Sequence, residues 1–170
     1  MKRRDLLRLG ALSPALLALS NLPLTALAAL PPEGGGEPVL SPEDAELLLA
    51  VMERMVDTGL PDAPKPREVG ALATAERVLG ALDPGVATQL VRALWLVDWW
   101  PAVVELRFTR FRSLPPEERD ASLEGWRTSS LVLRRRVFYA LRNLSMLCYW
   151  SRDPTWKLIG YGGPWLERKS

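Results

Sequence analysis

Apolar residues recur at three- and four-residue spacing along most of the chain, and proline and glycine mark the breaks between the periodic runs. Ser41-Pro42-Glu43-Asp44 opens the first run with a capping serine, a proline suited to the first turn, and acids that complement the helix dipole. Leu48, Val51, Met52, Met55 and Val56 supply its apolar stripe, and Gly59 is the expected stop. Pro61, Pro64 and Pro66 make a stiff connection to a second helix over about 67–82, buried through Val69, Leu72, Val78 and Leu79. Asp83-Pro84 starts a third, strongly apolar through Leu90, Leu94, Trp95 and Val97, which Pro101 breaks or kinks before a helical stretch over 102–112. Pro115-Pro116-Glu117-Glu118 begins a helix carrying Leu123 and Trp126, a longest helix spans about 130–150, and Asp153-Pro154 starts a last turn closed by Gly160. No run alternates with period two. The pattern predicts an all-α fold: a small irregular helical bundle with an extended, aromatic and glycine-rich C-terminal tail.

The 130–150 helix has two apolar sides. At 100° per residue, Leu133, Val137, Ala140, Leu141, Leu144, Leu147 and Cys148 share a broad core face. Leu131, Tyr139 and Met146 fall opposite, beside Arg135 and Arg142. Tyrosine, methionine and arginine are enriched where proteins meet, so this outward side reads as a partner surface. The alternative is that another helix of the same chain covers it. Arg134-Arg135-Arg136 falls on different faces and does not form a phosphate site.

The beginning of the chain follows another logic. A basic head containing Arg3 and Arg4 precedes residues 9–32, which carry no charge, and Ala26-Leu27-Ala28 has the small-residue pattern of a cleavage site. Adjacent arginines before a mildly apolar stretch resemble a twin-arginine export signal. We therefore expect a signal over 1–28, a Pro- and Gly-rich linker over 29–40 and one helical domain over 41–170. An uncleaved anchor is the minority reading, since two prolines interrupt the apolar stretch. The expected location is the periplasm or the outer face of the inner membrane, with the twin-arginine translocase as one partner.

The leader also changes the charge picture. The chain has 22 basic and 20 acidic residues. The leader takes Lys2, Arg3, Arg4 and Arg8 against Asp5, which leaves a mature net charge of about −1 and no argument for nucleic acid. Residues 33–98 hold 12 acids against 5 bases and residues 105–157 hold 6 against 11, so the C-terminal half presents either a solvated basic face or a docking surface for an acidic partner. There is no histidine and one cysteine, Cys148, expected in the core. A Ser-His-Asp triad, a Cys-His dyad, a His-ligated metal or haem, an iron–sulfur cluster and an internal disulfide all require residues this chain lacks. The pair Glu117-Glu118 opens a helix, where acids are expected for dipole reasons alone.

Two longer stretches carry more information. Phe108-Thr109-Arg110-Phe111-Arg112-Ser113-Leu114-Pro115-Pro116-Glu117-Glu118-Arg119 leads to Leu123-Glu124-Gly125-Trp126 and Arg136-Val137-Phe138-Tyr139-Ala140-Leu141, and then to Tyr149-Trp150-Ser151. Trp156-Lys157-Leu158-Ile159-Gly160-Tyr161-Gly162-Gly163-Pro164-Trp165 follows. Together they resemble the gluconate 2-dehydrogenase subunit 3 family, small subunits of membrane-associated, flavin-dependent sugar and alcohol dehydrogenases. They also look like the helical segment before the flavin domain in some long-chain alcohol oxidases of the glucose–methanol–choline oxidoreductase superfamily. The resemblance covers roughly the C-terminal two-thirds of the mature chain, and the helices before Trp95 match no family pattern. It implies a non-catalytic helical partner without a cofactor of its own. Such a subunit accompanies a large FAD-containing dehydrogenase subunit through export and, through the complex, meets a membrane cytochrome subunit.

The ending also reads from its residues. Trp156, Tyr161 and Trp165 are amphipathic anchors among turn-forming glycines, and Pro164 fixes an extended exit. The competing expectation is a tail packed on its own bundle. A phosphate loop is excluded, because no G-x-G-x-x-G or Walker lysine is present. The leading reading is a subunit and export escort; the other is a stand-alone exported envelope protein or periplasmic chaperone.

Overall fold

A computed structural model describes residues 38–103 and 109–163. They form six α-helices and two 3-10 turns without a strand. The helices are α1 (Pro42–Met55), α2 (Ala71–Ala81), α3 (Pro84–Val103), α4 (Pro116–Arg127), α5 (Val132–Trp150) and the single turn α6 (Asp153–Trp156). The 3-10 turns span Phe111–Ser113 and Lys157–Ile159. The fold is the small all-α bundle that the periodicity predicts.

The N-terminus of α1 forms as its sequence dictates. Ser41 caps it, its Oγ accepting from the Asp44 amide at 3.2 Å and donating to Asp44 Oδ2 at 2.7 Å. The other Asp44 oxygen accepts the Trp95 indole N–H at 2.6 Å, tying the cap to α3. α1 ends at Met55 with Val56 as its cap, ahead of the expected stop at Gly59, which sits at φ 67° in the following turn. Its apolar residues are buried on more than one side, Leu47 and Leu49 included, because α2, α3, α4 and α5 all pack around it. Burying a leucine or methionine side chain fully contributes about 1.5–3 kcal/mol, so α1 and α5 together set the core.

Four boundaries differ from the sequence expectation. The second helix starts at Ala71, not near 67: the Glu68 carboxylate accepts from the Lys65 amide, and Gly70 takes a left-handed φ of 70° that no helix continues through. α3 runs through Pro101 to Val103, and the expected helix over 102–112 does not reach its far end. Arg110 is extended, and a 3-10 turn replaces helix at Phe111–Ser113. The reason is Asp98, whose side chain is 0% exposed. It accepts from the Arg112 amide at 3.2 Å and from Arg112 Nε at 3.0 Å, which draws the chain back onto α3. α5 begins at Val132 rather than 130 and, at 19 residues, is one shorter than α3, which is the longest described helix. Val39 and Leu40, assigned to the linker, belong to the domain: both amides donate to the Glu76 carboxylate, and Leu40 is buried.

The last turn forms where Asp153-Pro154 and Gly160 place it, and the Trp156 carbonyl accepts from the Tyr161 amide at 3.0 Å. Gly160 at φ 69° makes the reversal possible. Two long-range bonds fasten the end of α5 to the α1–α2 connection. Tyr149 donates its hydroxyl to the Pro64 carbonyl at 2.8 Å, and Arg152 Nε donates to the Val69 carbonyl at 2.8 Å.

Candidate functional site

α5 positions most of the sequence-predicted surface. Its inner side is core: Val137, Ala140, Leu141, Leu144 and Cys148 are buried, while Leu133 and Leu147 are half-buried. Phe138, Ser145 and Tyr149 are buried as well, which widens the core face beyond the predicted set. The residues opposite remain outward. Leu131, the N-cap of α5, is 56% exposed and Tyr139 44%, Arg142 is exposed and Arg135 half-buried, whereas Met146 is half-buried and packs against the core. Val132, 51% exposed, extends the same stripe and was missed by sequence reasoning. Its signal was available, since it lies seven residues before Tyr139 and therefore on the same line of the helix.

Arg135 is oriented by its own chain, with Nη1 donating to the carbonyls of Ser129 and Ser130 just before the helix. On the far side, Arg134 stands 4.4 Å from the ring centre of Trp100 and 5.0 Å from that of Trp126, and the two indoles meet edge to face at 5.2 Å. That cluster joins α3, α4 and α5 and accounts for one of the three consecutive arginines structurally.

The aromatic ending is divided. Trp156 is half-buried, donates its indole N–H to the Trp150 carbonyl at 2.9 Å and packs edge to face on Tyr161 at 5.3 Å. Tyr161 keeps 41% of its surface in water, and Ile159 beside it, absent from the predicted set, keeps 62%. Pro164, Trp165, Arg3 and Arg4 lie outside the described residues. The structure thus brings Leu131, Arg135, Tyr139, Arg142 and Met146 onto one helix and ties Trp156 to its end.

Few groups here have reactive character. Burial pushes the Cys148 thiol up to about 12, opposed in part by Arg77, so the thiol stays protonated at neutral pH. The Glu117-Glu118 pair is exposed at the start of α4. Among the described residues, no group of three or more His, Cys, Asp or Glu could hold a metal ion, and no helix is long and apolar enough to cross a membrane. An apolar groove lined by Val39, Leu79, Leu82, Ala87 and Val91 lies between α2 and α3. A second, rich in proline, runs along the α1–α2 connection above Tyr149.

Compared with protein-family models, curated proteins and solved structures, the chain matches none. The family resemblance therefore rests on the quoted motifs alone.

Proposed function

We propose that this chain is a non-catalytic small subunit that binds and stabilises a flavin-dependent sugar or alcohol dehydrogenase and carries it through the twin-arginine route. Its place would be the periplasm or the outer face of the inner membrane, and the FAD would belong to the large subunit. The observation that supports this reading most is the outward stripe of α5, where Leu131, Val132 and Tyr139 stand in water beside Arg142. Apolar side chains collected on one face of an otherwise well-packed helix are characteristic of a surface that another protein covers. The motif resemblance supplies the kind of partner, and the leader supplies the route.

A specific observation favours the second reading, a stand-alone exported envelope protein: Trp156 satisfies its N–H within its own chain. Export separates the two. Replacing Arg3 and Arg4 together with lysine should leave both this chain and its flavoprotein in the cytoplasm, measured by fractionation and FAD content. A flavoprotein that still reaches the periplasm ends the escort role.

A further inference from the structure

The outward stripe of α5 has a period of seven. Val132, Tyr139 and Met146 occupy one line, and Arg135 and Arg142 follow the first two at a spacing of three. Seven residues rise about 10.5 Å, so the exposed part from Val132 to Arg142 runs about 15 Å, enough to seat nearly three turns of another helix, and Met146 ends the line half-buried against the core. Up to Arg142 the arrangement is a coiled-coil seam in which one of the two inward positions is apolar and the other is arginine; seven residues on, Tyr149 is buried and ends it.

The charges that α5 brings to this seam have one sign. Arg135 and Arg142 lie along it, and α5 carries no carboxylate. Arg127 of α4 lies within electrostatic range of the Tyr139 hydroxyl. Glu124 beside it is engaged through both oxygens, accepting from Arg127 Nε at 2.7 Å and from Arg127 Nη2. The guanidinium of Arg135 is held in place by the Ser129 and Ser130 carbonyls, which lowers the ordering cost of using it in a contact.

We infer that the occupant of this seam is an acidic amphipathic helix of the partner. Its apolar side lies along Val132, Tyr139 and Met146, and its carboxylates sit at heptad spacing against Arg135 and Arg142. The inference rests on the subunit reading above and adds the chemistry of the contact. A second copy of this chain is disfavoured as occupant, because pairing α5 with itself sets a basic stripe against a basic stripe. An anionic lipid surface is disfavoured too, because α5 is held by α1, α2, α3 and α4 and cannot sink its apolar line into a bilayer.

The test uses the full chain in its native cells, with the photo-crosslinker p-benzoylphenylalanine placed at Tyr139. Mass spectrometry of the captured peptide should show a segment with Asp or Glu at heptad spacing. Arg142→Glu should lower the amount of complex recovered at least tenfold without moving the unfolding midpoint, and a lysine replacing the captured acid should restore it. Capture of a neutral or basic segment, of a second copy or of lipid overturns the inference, as does a complex indifferent to Arg142→Glu. A complex that forms but gives no cross-link at Tyr139 overturns it while the subunit reading stands. No complex at all removes both.

Discussion

Cys148 shows how much a single residue's surroundings decide. The sequence places it on the apolar side of its helix, and the structure buries it, so its role as packing was legible in advance. A free thiol in the unfolded chain ionises near 9, whereas burial pushes the folded thiol up to about 12. The folded state therefore disfavours the thiolate. The stability this contributes is whole below about pH 9 and declines as pH rises toward 12, because the unfolded chain loses its proton first. Chemical denaturation from pH 8 to 11 should show a steeper fall for the natural chain than for Cys148→Ala, which has no thiol to titrate. Equal slopes would mean the thiol reaches water in the native state. Asp98 gave less warning: it is one acid within the apolar run of α3, and only the fold reveals that Arg112, 14 residues on, returns to meet it.

Among the elements, helix existence was legible and helix ends were not. Caps made by neighbouring residues, such as Ser41 with Asp44, follow from local sequence. The start at Ala71 depends on a left-handed Gly70, and the loss of helix at Arg110 depends on an ion pair formed across the fold; neither leaves a periodic trace. The two sides of α5 were separated correctly in outline, since Leu141 is buried and Tyr139 exposed. Their substitutions should separate as sharply. Leu141→Ala should cost about 2–5 kcal/mol, since it leaves a cavity in the core. Tyr139→Ala should change stability by no more than about 0.5 kcal/mol. Thermal or denaturant unfolding of both variants checks this, and a large loss for Tyr139→Ala would show that the stripe is core after all.

For the whole molecule, the question is what the C-terminal segment contributes. Removing the chain from Trp156 onward takes away Tyr161, Ile159 and the indole that rests on the Trp150 carbonyl. Only one 3-10 turn of the described structure lies beyond that point, so helical content measured by circular dichroism should barely fall. If the aromatic groups serve a partner, association should weaken about a hundredfold or more, since anchors of this kind cost about 2 kcal/mol each. A pull-down with the truncated chain reads this directly: unchanged binding would place the contact elsewhere, and loss of helix along with binding would make the segment core. Its turn from Asp153-Pro154 to Gly160 was legible beforehand, but not the Trp156 carbonyl that closes it, because glycine and proline announce a reversal without naming the acceptor.

The bonds from Tyr149 to Pro64 and from Arg152 to Val69 also bear on time. They join positions 85 and 83 residues apart, so the early α1–α2 connection stays unfastened until the end of α5 has been made. At about 5–20 residues per second, that interval is on the order of 4–17 s during synthesis. Throughout it, α1 and α2 lack the helix that covers them, and their leucines and methionines are open to any holding factor in the cytoplasm. On the export reading proposed above, a route that accepts only folded proteins would in effect be reading whether α5 has closed.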